Sequence, residues 1–466
     1  MAGPNPTTAI SAPGKVLFTG GYLVLDRAYT GLVYGLSARI NVIAQEITTS
    51  PGVQLTEIVV ESPQFLEAQW RYGYHLADED GGISVTQLQI GSTFSPNPFV
   101  ETALAYALTY ISRTSHQHPA HSIKSARLAI LADNDYYSQS SGSSSTSSSS
   151  STVTGGGAGS TTGSGRFARF PTTLRKANKT GLGSSAALVT SLTAALLAHY
   201  LAPSQFDLST PAGKATLHNL AQAAHCAAQG KVGSGFDVAA AVYGSFKYRR
   251  FSPSILSGLP EPGAPGFASA LVGVVDGKSV TWDTETATAG VGLPAGVALR
   301  MCDVTCGSET PGMVKQVLAW RAREGAAATA LWDELQARNE ELAAVLRGDG
   351  GNGTGDIRGA LDAVRALTRR MGEASGVPIE PPSQTELLDA LADRVEGVYG
   401  GVVPGAGGFD ALALLVRDDE ETAARLKAFL EGWSKEKGAR VKLLEVRGQL
   451  EGARREELGI YEGWLR

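Results

Sequence analysis

Residues 179–187 read Lys-Thr-Gly-Leu-Gly-Ser-Ser-Ala-Ala and lead into an apolar segment that favours a helix. Beyond them, apolar side chains recur with the spacing of one helix face at Leu188, Leu192, Ala195 and Leu196. A glycine-containing loop before a helix presents free backbone N–H groups and the positive end of the helix dipole, which together bind phosphate. The stretch therefore predicts a phosphate-binding loop, with a capped helix after an ordinary glycine turn as the alternative.

Four residues of this loop have separate predicted roles. Gly181 and Gly183 lack a Cβ atom, so the backbone can approach an anion closely at these positions. Ser184 and Ser185 can cap the helix that follows, and one of the two hydroxyls can also bind a metal ion. We therefore expect an anion and a metal ion near the same helix N-terminus.

The composition is that of a globular protein and argues against several functional classes. The chain has 466 residues, of which 43% are hydrophobic and 18% charged, enough for two domains. Its net charge of -5 argues against a general nucleic-acid binder. The N-terminal residues lack the features of a secretion signal, and the most apolar run, residues 186–198, is too short to cross a bilayer. We expect a cytoplasmic monomer or weak dimer without nucleic-acid or membrane partners.

Helix and strand patterns are mixed along the chain, which is typical of an α+β fold with helices layered on an antiparallel sheet. Residues 98–110 have one apolar helical face and follow the candidate capping residue Asn97. The apolar runs 268–275 and 279–284 predict the two strands of a hairpin. A further helix is predicted over residues 383–398.

Two low-complexity segments divide the chain. Residues 138–165 are almost entirely serine, glycine and threonine, and they cannot bury enough apolar surface to offset the entropy of ordering. We interpret them as a disordered insertion without chemistry of its own. The segment 253–265 is rich in proline and glycine and predicts a domain boundary, with an N-terminal domain over 1–252 and a C-terminal α+β domain over 253–466.

Three separate stretches, taken together, resemble the superfamily of galactokinase, homoserine kinase, mevalonate kinase and phosphomevalonate kinase. They are residues 12–22 (Ala-Pro-Gly-Lys-Val-Leu-Phe-Thr-Gly-Gly-Tyr), residues 179–187, and residues 403–410 (Val-Pro-Gly-Ala-Gly-Gly-Phe-Asp). Within this superfamily, Gly20-Gly21-Tyr22 and the run 229–237 look most like eukaryotic phosphomevalonate kinases.

The resemblance implies a two-domain kinase fold with ATP bound by the N-terminal domain and the active site in the cleft between the domains. The implied reaction is ATP-dependent phosphorylation of 5-phosphomevalonate to 5-diphosphomevalonate, in the mevalonate route to isoprenoids and sterols, with Mg2+. The alternatives are mevalonate kinase, another small-molecule kinase, diphosphomevalonate decarboxylase, or a non-catalytic ligand sensor related to galactokinase.

The resemblance also implies roles for individual residues. Lys15 and Asp237 would be catalytic, and Ser185 would bind the metal. Implied ATP-binding residues are Lys179, Gly181, Leu182, Gly183, Ser184, Ser185, Ala186 and Asn97. Implied substrate-binding residues are Lys15, Gly21, Tyr22, Ser234, Ser308, Gly407 and Gly408.

The chemistry of the acceptor constrains the role of Asp237. A phosphate monoester has a second pKa of about 6, so the attacking oxygen is already largely deprotonated at neutral pH. A base therefore has little to remove, and we expect Asp237 to orient Lys15 or a magnesium-bound water instead.

One departure from the superfamily concerns the metal. Mevalonate kinases carry a magnesium-holding glutamate eleven residues before the aspartate, and this chain has Cys226 there. We therefore expect Ser185, phosphates and water to supply more of the ligands of the metal ion.

Overall fold

The computed structural model describes residues 5–50, 55–89, 96–115, 123–138, 165–288, 291–304, 310–348 and 356–465. Its strands are β1 Thr8–Thr19, β2 Gly31–Glu46, β3 Glu57–Glu61, β4 Gln69–Ala77, β5 Gly82–Leu88, β6 Ala126–Ala132, β7 Tyr137–Ser138, β8 Asn178–Lys179, β9 Phe246–Arg249, β10 Glu285–Ala287, β11 Val297–Val304, β12 Val398–Val402, β13 Ala411–Arg417, β14 Val441–Gln449 and β15 Arg454–Arg455. Its helices are α1 Pro98–Thr114, α2 Ser184–Tyr200, α3 Pro211–Gln229, α4 Phe236–Tyr243, α5 Phe267–Val275, α6 Thr310–Glu324, α7 Ala326–Arg347, α8 Ile357–Ser375, α9 Pro382–Arg394 and α10 Glu420–Lys437.

Strand β2 is the centre of a sheet that joins 13 of the described strands. It pairs antiparallel with β1, β6, β9 and β14 along different parts of its length. The main path through the sheet runs β12-β13-β11-β14-β2-β6-β3-β4-β5. Because β14 lies between β11 and β2, one sheet connects elements from both halves of the chain. The architecture is the expected α+β one.

Helices α1 to α4 pack together over the N-terminal part of this sheet. Helix α2 is buried on almost every side, as its alanine and leucine content requires, and it lies against β1 and β2. Asn97 caps α1, because its side-chain oxygen accepts from the Val100 N–H at 3.4 Å. A separate apolar cluster, which includes residues of α9 and α10, lies against β11 to β13. The core of the N-terminal part therefore fixes the start of α2 relative to β1.

The C-terminal residues return to the N-terminal strands. Strand β15 pairs with β1, and the Tyr461 hydroxyl donates to Asn41 Oδ1 at 2.9 Å. The Ser11 hydroxyl donates to Glu456 Oε1 at 2.6 Å. Residues 441–464 are therefore part of the structure around β1.

The structure corrects two predicted elements, and it does not test the predicted insertion or the predicted domain boundary. The hairpin over 268–284 is wrong: α5 occupies its first half, starting after Gly266 in the left-handed region, because an apolar run of this length suits a buried helix as well as a strand. The helix predicted to reach residue 398 ends at Arg394, and β12 follows. Most of the insertion, residues 139–164, lies outside the described residues, and the boundary at 252/253 stays a prediction. Within the described part of the chain, no helix combines the length and apolarity of a membrane span.

Candidate active site

The glycine loop ends at a helix N-terminus that no side chain caps. Gly183 is the capping residue of α2, with φ 81°, and it makes no side-chain hydrogen bond to the first turn. The prediction that Ser184 or Ser185 caps the helix is therefore wrong, because both residues lie within the first turn. The N–H groups of the first turn therefore have no side-chain cap and are left available for an anion.

Strand β1 packs directly against this loop. The Lys15 N–H donates to the Leu182 carbonyl at 3.0 Å, and a Cβ on Gly14 would lie 2.8 Å from the same oxygen. A Cβ on Gly183 would lie 2.8 Å from Lys15 Cε. Both glycines therefore permit a close approach that places the lysine stem directly against the loop.

The Lys15 ammonium lies over an aromatic ring and is influenced by the charge of a nearby carboxylate. Its Nζ is 5.3 Å from the centroid of the Phe236 ring. Desolvation by burial lowers the pKa of Lys15 below its ordinary value, and the charge of Asp237 opposes that shift. Asp237 is in the first turn of α4, where its Oδ1 accepts from the Val238 N–H at 3.0 Å. The two residues therefore act on each other electrostatically.

Two cavities lie on either side of the glycine loop. The Lys15 cavity has a volume of about 340 Å³, and its walls include Lys15, Gly181, Leu182, Ser234, Gly405 and Gly407. The Asn97 cavity has a volume of about 110 Å³, and its walls include Trp70, Asn97, Phe99, Lys179, Ser184 and Ser185. One loop therefore contributes to both spaces, with different residues facing each.

The predicted ATP-binding residues divide between these spaces. Asn97, Lys179, Ser184 and Ser185 line the Asn97 cavity, whereas Gly181 and Leu182 line the Lys15 cavity. Ala186 is buried in the core under the loop.

The predicted substrate-binding glycines form a contact between the two ends of the chain. A Cβ on Gly21 would lie 2.0 Å from the Gly405 carbonyl oxygen, and the Tyr22 hydroxyl donates to the Ala406 carbonyl at 2.6 Å. Tyr22 and Gly407 line the Lys15 cavity; the Gly408 N–H instead donates to the Ile379 carbonyl at 2.9 Å. Ser308 lies outside the described residues.

His225 is a site residue that the sequence analysis missed. Its Nε2 is 3.2 Å from Ser185 Oγ, and its Nδ1 is 3.8 Å from Asp237 Oδ2. The signal available in the sequence was a row of polar side chains on an alanine-rich helix, since Gln222, His225 and Gln229 are spaced i, i+3, i+7.

The donors present fit a magnesium ion held mostly by phosphate and water. The described residues contain no group of three or more His, Cys, Asp or Glu side chains that could enclose a metal. Ser185 and Asp237 offer a hydroxyl and a carboxylate on either side of His225, and Mg2+ commonly uses one or two protein oxygens. Cys226 is no substitute for a glutamate: burial raises the pKa of its thiol, which accepts from Gln222 Nε2 at 3.2 Å.

The fold and this site define a small-molecule kinase of the GHMP class. The family described as GHMP kinases N terminal domain matches residues 169–245, and GHMP kinases C terminal matches residues 354–435. Among solved structures, the Lin0012 protein of Listeria innocua aligns with a TM-score of 0.62 at 17% identity, covering 97% of this chain and 100% of that one. The Streptococcus pneumoniae phosphomevalonate kinase, solved with phosphomevalonate and AMPPNP, aligns with a TM-score of 0.57 at 16% identity, covering 95% and 99%.

Sequence relatives narrow the class. A phosphomevalonate kinase of Gibberella zeae is 62% identical over 100% of both chains. One from Aspergillus fumigatus is 44% identical over 99% of both, and a peroxisomal one from Arabidopsis thaliana is 34% identical over 88% of this chain and 90% of that one. The chain belongs to the phosphomevalonate kinase family.

Proposed function

We propose that this kinase transfers the γ-phosphoryl group of ATP to the phosphate of 5-phosphomevalonate, giving 5-diphosphomevalonate. The observation that carries the proposal is the uncapped N-terminus of α2, which lies between two cavities with the Lys15 stem packed against it. An anion-binding helix end beside a cation is the arrangement that phosphoryl transfer requires, since most of its catalysis is positioning and charge stabilisation.

The nucleotide occupies the Asn97 cavity in this proposal. Trp70 and Phe99 supply apolar walls for a base, and Lys179 and Ser184 lie where its phosphates reach the start of α2. The triphosphate then runs along the loop, so that its terminal phosphate arrives beside Gly181 and Leu182. Magnesium, when bound near Ser185, neutralises charge on the phosphate oxygens.

The acceptor occupies the Lys15 cavity. Ser234 and the Gly405–Gly407 segment provide hydroxyl and backbone groups around it, and the Lys15 ammonium faces the phosphoryl group as it is transferred. Asp237 sustains the charge on Lys15 and does not remove a proton from the acceptor, because the phosphate nucleophile is already ionised at neutral pH.

Substrate assays test the assignment directly. ADP release is measured with mevalonate, phosphomevalonate and diphosphomevalonate in turn, together with release of CO2. We expect turnover with phosphomevalonate and no CO2. Turnover of mevalonate alone would reassign the enzyme to the preceding kinase, CO2 release with diphosphomevalonate would indicate a decarboxylase, and no turnover would favour a ligand sensor.

The remaining features of the proposal concern the whole protein. We propose a division into an ATP-binding domain over 1–252 and a second domain over 253–466, and a monomer or weak dimer in the cytoplasm without nucleic-acid or membrane partners. A peroxisomal location, as in the name of the Arabidopsis relative, is the alternative that fluorescence microscopy of a tagged chain would reveal.

A further inference from the structure

His225 occupies the space between the two site residues that the sequence analysis placed around the metal. The imidazole is 2% exposed and lies in the last turns of α3, facing the N-termini of α2 and α4. Its Nε2 lies 3.2 Å from Ser185 Oγ and its Nδ1 lies 3.8 Å from Asp237 Oδ2. The ring packs against Phe99, with 5.6 Å between centroids, at the wall of the Asn97 cavity.

The neighbours of the ring select one tautomer. The Asp237 carboxylate is an acceptor whose Oδ2 lies 3.8 Å from Nδ1, so this side of the ring favours a proton on Nδ1. Nε2 then carries a single lone pair, and the Gln229 side-chain nitrogen lies 3.0 Å from it and 3.4 Å from Nδ1. The Ser185 hydroxyl, 3.2 Å from Nε2, is the other donor placed to reach this lone pair, which accepts one full hydrogen bond.

This tautomer matters because a serine that binds a metal must direct its proton elsewhere. The oxygen offers a lone pair to the ion, and the O–H needs an acceptor on the opposite side. Partners of this kind orient metal ligands, and their loss commonly costs 10- to 100-fold in metal affinity or activity.

We propose that His225 is a positioning residue, which accepts the hydrogen bond of Ser185 and so holds the serine oxygen toward the metal–nucleotide complex. The inference rests on the proposed function only in assuming that a metal nucleotide binds here. It assigns to His225 an indirect part of the task that falls to the glutamate at the next position, 226, in mevalonate kinases.

The test compares nucleotide binding with and without metal. AMPPNP affinity is measured by calorimetry in excess Mg2+ and in excess EDTA, and the ratio of the two is the magnesium-dependent gain. His225→Phe keeps an aromatic ring against Phe99 but removes the acceptor, and we expect it to reduce this gain about 10-fold or more. Metal-free affinity should stay within about twofold of the wild type.

Two further variants separate this role from a structural one. His225→Gln returns an acceptor oxygen near the position of Nε2, and we expect it to restore part of the gain. His218→Phe is the matched control, because His218 is equally buried, lies two turns earlier on α3, and contacts Asn219 at 3.1 Å. It should leave the gain unchanged.

A double-mutant cycle decides whether His225 acts through Ser185. Ser185→Ala and Ser185→Ala/His225→Phe should show the same gain within about twofold, because the second change has nothing left to orient. The proposal would be overturned if the double variant lost more of the gain than Ser185→Ala alone. It would also be overturned if His225→Phe kept the full gain, or if the wild type showed no magnesium-dependent gain.

A spectroscopic measurement on the wild type avoids any variant that fails to fold. Nitrogen-15 histidine spectra, with His225→Gln used for assignment, should show the ring proton on Nδ1, and a proton on Nε2 would contradict the proposal. None of these measurements requires the acceptor, so a failure to turn over phosphomevalonate would refute the proposed function without deciding this inference.

Discussion

Two glycine-containing segments meet at the Lys15 cavity, and they use glycine for different physical reasons. In residues 181–185 the glycines leave backbone groups open: a Cβ on Gly181 would meet nothing within 4 Å, and the helix that follows is uncapped. In residues 404–408, Gly407 allows backbone to touch backbone: a Cβ there would lie 2.2 Å from the Ile379 carbonyl oxygen, whereas a Cβ on Gly405 would meet nothing within 4 Å. In the proposed function the first segment binds a ligand, whereas the second joins parts of the chain. Loss of the charge beside the first segment should therefore affect turnover most, and loss of the backbone contacts of the second should affect stability most.

Lys15→Met should have the largest effect, because it removes the cation that packs against the first segment. We expect kcat/KM to fall about 10²- to 10³-fold, the range for losing one group that stabilises transition-state charge. Burial lowers the pKa of Lys15, so at neutral pH the unfolded chain holds this proton more tightly than the folded one. Removing the charge should therefore raise the ligand-free free energy of unfolding, as measured by urea denaturation.

The control for this variant is Lys179→Met, since Lys179 is an exposed lysine at the edge of the Asn97 cavity. It should cost less activity and leave stability unchanged. Equal losses in the two variants would mean that general positive charge, and not the position of Lys15, supports turnover.

Gly21→Ala should have the largest effect on stability. The new Cβ would lie 2.0 Å from the Gly405 carbonyl oxygen, and neither backbone can yield without opening the contact. We expect a loss of about 1–3 kcal/mol in the free energy of unfolding. Gly258→Ala, where a Cβ meets nothing within 4 Å, is the control and should be near neutral.

Gly183→Ala and Gly181→Ala separate backbone strain from displacement of Lys15. Both positions have positive φ, 81° and 61°, so each variant should lose about 1–2 kcal/mol of stability. A Cβ on Gly183 alone presses on the Lys15 stem, and we expect only that variant to lose about a further 10-fold in kcat. Similar kinetics for the two variants would contradict the packing described here.

Tyr22→Phe should have a smaller effect, because it removes one hydrogen bond from the joining segment. Losing the 2.6 Å bond to the Ala406 carbonyl should cost about 0.5–1.5 kcal/mol in unfolding free energy, with a modest rise in the KM for phosphomevalonate. Tyr34→Phe is the matched control: its buried hydroxyl has no hydrogen-bond partner among the described residues. That variant should be neutral or slightly stabilising, so a loss equal to that of Tyr22→Phe would argue against the contact.

The contribution of Lys15 should be visible in the position of the alkaline limb of the pH profile of kcat/KM. Because burial lowers its pKa, the alkaline limb should lie below pH 10.5, the ordinary value for lysine. Asp237 raises the pKa, so Asp237→Asn should move the limb to still lower pH. Lys15→Arg keeps its charge at high pH, so its pH profile should lack the alkaline limb. If the limb persisted in this variant, another group would be its cause.

Local signals in the sequence predicted most of the helices, with α5 as the exception. The bounds of α2 and α3 follow from Gly183 and from the Thr210 cap with Pro211, features that act within one helical turn. What could not be predicted depends on distant pairing. Strand β14 joins β2, and the short β12 and β15 exist through partners elsewhere in the sheet. His225 was missed for the same reason, since only the packing of α2, α3 and α4 brings Ser185 and Asp237 to its two nitrogens.

The pairing of β15 with β1 and of β14 with β2 has a consequence for how the molecule is made. Residues 441–455 emerge from the ribosome long after β1 and β2, yet they complete the sheet that supports Lys15. The N-terminal part of the sheet therefore cannot finish folding until these residues have been synthesised, and until then β1 lacks one of its neighbours. Nascent chains halted before residue 441 should accordingly bind chaperones and fail to retain ATP analogues.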